Sequence, residues 1–327
     1  MKVISIDFEE IPKLPKTAAA IGYFDGFHRG HQQLIAKTIR LAKEKKVKSA
    51  ILTFYPDPWT VFKPYDNHDN LVSLSDKTEM AAAMGVDYLY VVHFTKEFAG
   101  RTVEEFHKFL KNMHVRYLVC GFDFTYGYKG LGNVNSLKSY DKIETFTVDA
   151  IEDLDMKISS TRIERLIRAG LLLKANELQG YIYSLPGVVV KGYRRGSSLL
   201  EFPTANLQVE KGYVLPARGV YAGYVLFGSR FYPAMINIGS NPTFGNDQVS
   251  IEAHIFNFHK EIYGSMVRFF FAQRIRPEIR FHSVEALKKQ LEMDQKRAWE
   301  LLVPMKGLLE RTKDLWSLDR RFDILEQ

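Results

Sequence analysis

Two histidines in a glycine-rich segment are the residues of this chain best suited to chemistry. His28 and His31 lie three positions apart within residues 22–31. Three glycines share that segment: Gly22, Gly26 and Gly30. Residues three apart can face the same side of a helical turn, and paired imidazoles there can stabilise the charge that develops in phosphoryl or nucleotidyl transfer. Because glycine lets the backbone approach a ligand closely, the segment predicts a phosphate site.

The elements around this segment place it where phosphates commonly bind. An apolar strand is predicted over residues 18–24 and a helix over residues 31–46, in which apolar residues recur at helical spacing. In an open parallel sheet, ligands bind beyond the carboxyl ends of the strands. The N-terminus of the following helix adds unpaired N–H groups and positive potential.

Other kinds of site fit the segment less well. It is not a P-loop, because no Gly-Lys-Ser/Thr follows, and it is not a GxGxxG dinucleotide loop. A metal site needs a third ligand, and none accompanies the two histidines at helical spacing. A structural turn that carries two surface histidines is the remaining alternative.

The pattern of elements changes along the chain. Short apolar strands alternate with helices over residues 18–180, which is typical of a parallel sheet covered on both faces. From about residue 187, extended segments follow one another without helices, which indicates an antiparallel barrel or sandwich. Helices return after residue 280, with Ser283 as a possible N-cap. We therefore predict two domains, residues 1–183 and residues 184–327.

Composition narrows the class of protein. The only cysteine, Cys120, excludes an internal disulfide and a cysteine-based metal cluster. No apolar run approaches the roughly 20 residues of a membrane helix, and the N-terminus does not have the pattern of a secretory signal. These features predict a cytoplasmic protein. The net charge is +7, with 20 lysines and arginines against 15 acidic residues after residue 183, which suits phosphate-bearing ligands or nucleic acid.

Further motifs follow the histidine pair in a recognisable order. They are Thr53-Phe54-Tyr55-Pro56-Asp57-Pro58, Leu74-Ser75-Asp76-Lys77, Gly121-Phe122-Asp123-Phe124-Thr125-Tyr126-Gly127 and Ile158-Ser159-Ser160-Thr161-Arg162-Ile163. Together with residues 22–31, they resemble the HxGH nucleotidyltransferase superfamily. In detail they resemble the adenylyltransferase half of bifunctional bacterial riboflavin kinase/FMN adenylyltransferases (prokaryotic FAD synthetases).

This resemblance implies a Rossmann-like domain in which the FMN phosphate attacks the α-phosphorus of ATP. It implies catalytic roles for His28, His31 and Arg162. ATP would be bound by Gly22, Phe24, Asp25, Gly26, Gly30, Ser159, Ser160 and Thr161, and flavin by Asp123, Phe124, Tyr126 and Gly127. Glu164 stands where the family usually has a second arginine, which reverses one charge near the triphosphate.

The C-terminal half resembles the riboflavin kinases of the same family. Residues 187–206 match their opening segment, including Pro203-Thr204-Ala205-Asn206. The resemblance implies a six-stranded antiparallel Greek-key barrel with C-terminal helices. Glu252 would be the general base for the ribityl hydroxyl, and Thr204 and Asn206 would hold Mg²⁺. It also implies phosphate contacts from Gly192 and Gly196 and a flavin contact from Arg276.

One departure bears on the kinase reaction. Glu201 replaces the family's glycine in the phosphate loop, which removes backbone freedom and adds a negative charge. We expect a bifunctional enzyme that makes FMN and then FAD from riboflavin with Mg²⁺ and ATP. The alternatives are an FMN adenylyltransferase with an inactive, flavin-binding kinase domain, or a flavin-sensing regulator whose basic surface binds RNA or protein. A monomer or weak oligomer without membrane association is expected.

Overall fold

The computed structural model describes residues 1–62, 69–191, 204–240, 249–316 and 323–324. It divides the chain into two compact units, one formed by Met1–Ser160 and Arg320–Gln327 and the other by Thr161–Asp319. The predicted boundary after residue 183 stays a prediction.

The first unit is built on a parallel sheet. Its strands in chain order are β1 (Lys2–Ile6), β2 (Thr17–Ile21), β3 (Lys48–Tyr55), β4 (Tyr88–His93), β5 (Val115–Gly121), β6 (Thr125–Tyr126), β7 (Gly132–Asn133), β8 (Glu144–Val148), β9 (Glu152–Asp153) and β10 (Met156–Lys157). The main sheet has the order β17-β1-β4-β3-β2-β5-β8, where β17 is Asp323–Ile324. Every strand pair in it is parallel. The predicted parallel sheet is therefore confirmed.

Helices connect these strands. They are α1 (Arg29–Glu44), α2 (Pro58–Phe62), α3 (Leu74–Ala83), α4 (Lys96–Ala99), α5 (Val103–Asn112) and α6 (Val134–Lys138). The chain leaves β2 toward β3 on one side and later returns to β5 on its other side. The glycine-rich segment follows β2, so it lies at the point where the strand order reverses, the usual position of a ligand in such sheets.

The second unit contains a closed antiparallel barrel. Its elements are α7 (Ser160–Arg168), α8 (Leu172–Gln179), β11 (Ser184–Val190), β12 (Ala205–Val209), β13 (Gly219–Phe227), β14 (Arg230–Ser240), β15 (Val249–Ile255), β16 (Met266–Arg276), α9 (Val284–Leu302) and α10 (Lys306–Leu315). The barrel closes in the order β11-β12-β15-β14-β13-β16. The six-stranded barrel and the C-terminal helices predicted from the sequence are both present. Ser283 accepts a hydrogen bond from the Ala286 N–H, as expected for the N-cap of α9.

A buried ion pair joins α9 to the barrel. The guanidinium of Arg276, the last residue of β16, contacts both carboxylate oxygens of Asp294, with Nη2 2.7 Å and Nε 2.9 Å from Oδ2. Gln290 donates a further hydrogen bond to Asp294. The Asp294 side chain is only 2% exposed, so the carboxylate depends on these partners for its stability.

Replacing Asp294 with alanine should destabilise the second unit by about 3 kcal/mol, because it leaves the Arg276 charge poorly solvated and without its partner. Urea denaturation measures the change. The matched control is Glu300→Ala on the same helix, which removes an exposed ion pair with Arg297 and should cost less than about 1 kcal/mol. Equal losses in the two variants would contradict the structural role of the buried pair.

Candidate functional site

A tight turn after β2 brings the glycine-rich segment back toward the sheet. Phe24, Gly26 and Phe27 all have positive φ angles, of 58°, 73° and 41°. A Cβ atom on Gly26 would lie 2.6 Å from Cδ1 of the buried Leu71. Glycine is therefore required at position 26 for two reasons, the left-handed backbone and the close approach of Leu71.

The two histidines meet at the start of α1, as their spacing predicts. His28 is the N-cap of this helix, and its Nδ1 accepts a hydrogen bond from the His31 N–H at 3.4 Å. The two imidazole rings stack with centroids 3.7 Å apart and an interplanar angle of 17°. The Phe24 ring also contacts His31 in a T-shaped arrangement, with ring centroids 5.3 Å apart.

Burial keeps both histidines neutral near pH 7. Burial, with a smaller contribution from the positive charge of Lys157, lowers the pKa of His28 to about 4. Burial also lowers the pKa of His31, with smaller effects from His28 and Lys157. Because Nδ1 of His28 accepts a hydrogen bond, the neutral ring carries its proton on Nε2 and can donate it to a ligand.

One polar atom of the pair has no partner. Nδ1 of His31 is buried and makes no hydrogen bond within the described parts of the chain. A buried polar atom without a partner costs free energy comparable to a lost hydrogen bond.

Charged side chains at and near the turn hold it in place through hydrogen bonds and a cation–π contact. One carboxylate oxygen of Asp25 accepts hydrogen bonds from the N–H groups of Leu71 and Val72, at 2.9 and 3.3 Å. Burial raises the pKa of Asp25 to about 6, an effect that the nearby Lys77 ammonium opposes. Lys77 is only 4% exposed, and its Nζ lies 3.7 Å from the centre of the Tyr23 ring.

The same support reaches the Thr53–Pro58 motif. The Tyr23 hydroxyl donates to Oδ2 of Asp57 at 2.6 Å, and Oδ1 of Asp57 accepts from the Trp59 N–H at 2.9 Å. Tyr23, Asp57 and Lys77 lie within the sequence motifs, but the sequence predicts no role for them. No sequence signal marks them, because their importance comes from burial of ionisable groups against one another.

The serine-rich motif begins beside the turn. Ser160, which belongs to the first compact unit, donates from Oγ to the backbone carbonyl of Asp25 at 2.7 Å. Thr161 and Arg162 belong to the second compact unit, and their predicted phosphate contacts stay predictions. Glu164 forms an ion pair with Arg168 at 2.8 Å, one turn along α7.

The predicted flavin residues follow β5, which neighbours β2, so their loop begins at the same edge of the sheet. The carboxylate of Asp123 pairs with the Lys157 ammonium, and Phe124 stacks on Tyr126 with ring centroids 5.8 Å apart. Gly127 has a φ of 71°, which suits glycine.

The hydroxyl of Tyr126 is already hydrogen-bonded within the protein. Its side chain is buried, and its hydroxyl is hydrogen-bonded to Nε2 of His107 at 2.6 Å and to Oγ of Ser136 at 2.8 Å. These contacts anchor the β6–β7 hairpin. A role for Tyr126 in flavin binding would therefore involve its ring or the loop position rather than its hydroxyl.

In the second unit, the predicted kinase residues converge on one face of the barrel. Asn206 on β12 pairs directly with Glu252 on β15, and the Thr204 hydroxyl lies 3.5 Å from Oε2 of Glu252. Burial raises the pKa of Glu252. Hydroxyl, amide and carboxylate oxygens are the hard ligands that Mg²⁺ prefers, so this donor set fits the ion.

The remaining kinase predictions are placed differently. Gly192, Gly196 and the Glu201 substitution lie outside the described residues. Arg276 is described, and its guanidinium is engaged by Asp294 and by the carbonyl oxygen of Pro277. A flavin contact from Arg276 stays a prediction.

Known proteins with similar sequences cover both units. Residues 10–162 match the family model described as FAD synthetase, and residues 179–302 match the model described as riboflavin kinase. A protein of Listeria monocytogenes serovar 1/2a, named bifunctional riboflavin kinase/FMN adenylyltransferase, is 41% identical over 281 residues, covering 84% of this chain and 89% of the relative. This chain belongs to the bifunctional riboflavin kinase/FMN adenylyltransferase family.

A second relative and one solved structure are also similar to this chain over most of its length. The Bacillus subtilis (strain 168) protein of the same name is 35% identical over 290 residues, covering 86% of this chain and 92% of the relative. A crystal structure named "Macrolide-efflux Protein from Streptococcus pneumoniae" matches at a TM-score of 0.85 and 33% identity, covering 91% of this chain and 98% of that chain. Within the described residues, no helix is long and apolar enough to cross a membrane.

The low pKa of His28 predicts how stability depends on pH. The unfolded chain binds a proton near pH 6.5 and the folded chain only near pH 4, so the folded state loses stability as the pH falls through this window. His28→Asn keeps a side chain that can cap the helix but removes the titrating group. Between pH 7 and pH 4, wild-type protein should lose up to about 3 kcal/mol more than the variant.

Urea denaturation at several pH values measures this difference. His93→Asn is the matched control, because it removes a histidine of the same unit whose side chain is 55% exposed. The control should follow the wild-type pH dependence closely. A His28→Asn variant that loses stability as steeply as the wild type would show that His28 is not held in the neutral form.

Proposed function

We propose that this chain catalyses two successive reactions, the phosphorylation of riboflavin to FMN and the adenylylation of FMN to FAD. The observation that carries the proposal is the buried, stacked histidine pair beside the glycine-rich turn, in a chain whose second unit pairs Glu252 with Asn206. Family membership over both units supports assigning one reaction to each.

In the first unit, the site residues would act by positioning and charge stabilisation. A phosphate oxygen of FMN forms a bond to the α-phosphorus of ATP, and the bond from that phosphorus to the bridging oxygen breaks as pyrophosphate leaves. The Nε2–H group of His28 and the ring of His31 would donate hydrogen bonds to the phosphate oxygens. The turn after β2 and the start of α1 would hold the triphosphate, since helix N-termini favour anions.

In the second unit, Glu252 would act as the general base. Its carboxylate takes the proton of the terminal ribityl hydroxyl as that oxygen bonds to the γ-phosphorus of ATP, and ADP leaves. Burial raises the pKa of Glu252, which makes the carboxylate a better proton acceptor. Thr204 and Asn206 would hold a Mg²⁺ ion, which supplies charge neutralisation for the phosphates.

The alternatives differ from this proposal in the second unit. An inactive kinase domain that only binds flavin would follow if Glu201 prevents phosphate binding, and a regulator would use the basic charge after residue 183. The family membership favours the bifunctional enzyme over both. The cytoplasmic location and the monomeric or weakly oligomeric state stay predictions.

Single substitutions should separate the two reactions. We expect His31→Ala to lower FAD formation from FMN by at least about a hundredfold, the scale of removing a donor to a developing charge, while FMN formation from riboflavin continues. Glu252→Gln should do the reverse, because it removes only the base. Each protein is supplied with Mg²⁺-ATP and either riboflavin or FMN, and the flavins are resolved by chromatography.

In each variant the unaffected reaction shows that the other unit is active, and circular dichroism checks the fold of the mutated unit. Loss of both reactions in either variant, with the fold intact by circular dichroism, would contradict separate sites. Wild-type protein that makes FAD from FMN but no FMN from riboflavin would leave only the adenylyltransferase half of the proposal.

A further inference from the structure

Three polar side chains form a row across neighbouring strands of the barrel. Asn206 on β12 lies directly opposite Glu252 on β15, and Glu252 lies directly opposite Asn237 on β14. Residues directly opposite in antiparallel strands share a face and have Cβ atoms about 4.5–5.5 Å apart. Glu252 is therefore flanked by one amide on each side.

The row lies on one face of the strands. Along β15, the buried residues Ile251 and Ala253 alternate with the half-buried Glu252. On β14, the buried Ile236 and Ile238 flank the half-buried Asn237 in the same way. The apolar residues fill the barrel interior and the polar residues face away from it, so Asn237 has the access that a ligand contact requires.

A second carboxylate borders the amide of Asn237. A Cβ atom on Gly239, two residues further along β14, would lie 3.2 Å from Nδ2 of Asn237 and 2.7 Å from Oε1 of Glu278. The absence of a side chain at Gly239 thus leaves room for the Glu278 carboxylate beside Asn237. Amide and carboxylate groups together bind hydroxyl groups well, because a hydroxyl both donates and accepts hydrogen bonds.

The order of the row separates the two substrates, if the proposed kinase reaction is correct. Asn206, with Thr204, is on the side of Glu252 that would hold Mg²⁺ and the ATP phosphates. Glu252 must lie where the attacking hydroxyl meets the γ-phosphate. Asn237 lies on the opposite side of Glu252 from Asn206, which leaves that side to the hydroxyl-bearing chain of the acceptor.

We propose that Asn237 binds the polyhydroxyl chain of the flavin acceptor by hydrogen bonds from its amide. It would hold the chain so that the terminal hydroxyl lies against the Glu252 carboxylate. The neutral amide adds no charge beside the base. Asn237 is thus a specificity residue for the acceptor, distinct from the phosphate side of the same site.

Asn237→Leu tests the proposal, because leucine has a similar volume and no hydrogen-bonding group. FMN formation from riboflavin is measured at varied riboflavin and at varied Mg²⁺-ATP. We expect the KM for riboflavin to rise about tenfold, as for one lost hydrogen bond, with the KM for ATP unchanged. Lumiflavin, which has a methyl group in place of the ribityl chain, should inhibit the variant and the wild type with the same inhibition constant.

Gln208→Leu is the matched control, since Gln208 is exposed on β12, two residues after Asn206, and lies outside the row. It should leave both KM values unchanged, and FAD formation from FMN should be normal in both variants. An unchanged KM for riboflavin in Asn237→Leu, or a rise in the KM for ATP instead, would overturn the inference. Wild-type protein without kinase activity would instead overturn the proposed function on which the inference rests.

Discussion

The backbone turn after β2 is the constraint on which the first unit depends. Phe24 adopts a left-handed conformation, with φ 58° and ψ 30°, which costs about 1–3 kcal/mol for a residue other than glycine. Burial of the Phe24 and Phe27 rings and the hydrogen bonds from Leu71 and Val72 to Asp25 offset that cost. The turn then delivers His28 to the start of α1, where its ring stacks on His31.

The stacked, buried arrangement of His28 and His31 also explains how two uncharged side chains can bind an anion. Two buried neutral imidazoles avoid the desolvation penalty of two positive charges, yet each ring retains one N–H donor. Near the turn, the Lys77 ammonium lies close to the carboxylates of Asp25 and Asp57, and both oppose the lowering of its pKa by burial. A polyanion that enters would gain hydrogen bonds without displacing an existing ion pair from the histidines.

In the barrel, strand register rather than a tight turn brings the site residues together. Antiparallel register brings Asn206, Glu252 and Asn237 into one row, although β13 and β14 separate β12 from β15 along the chain. Closure of the barrel fixes that register, because a shift of one residue would turn the polar side chains inward. The geometry of the row is therefore a consequence of the same apolar alternation that builds the core.

Much of this could be read from the sequence, for local reasons. The His28–His31 pair, the change from alternating elements to successive strands and the Ser283 cap depend on spacing within a few residues. The buried partners Tyr23, Asp57 and Lys77 could not be assigned roles, because they meet only after the chain folds. The ion pair of Arg276 with Asp294 could not be predicted for the same reason, and the flavin contact of Arg276 stays a prediction.

The pairing of Asp323–Ile324 with β1 was also not predicted. A two-residue strand has no periodicity to detect, and its partner lies at the other end of the chain. The C-terminal segment was predicted only as packed helix. Helix α10 matches that prediction, and β17 does not.

The most direct test of the account is the state of the two imidazoles with and without nucleotide. Nuclear magnetic resonance of protein labelled with ¹⁵N-histidine reports the protonation and hydrogen bonding of each ring nitrogen at pH 7. Two neutral rings are expected in the free protein, together with a shift of the ring nitrogen resonances of His28 and His31 when the non-hydrolysable α,β-methylene analogue of ATP is added with Mg²⁺. Positively charged rings in the free protein, with protons on both nitrogens, would contradict a neutral histidine pair. Ring resonances that do not change with the analogue would contradict its role in binding the triphosphate.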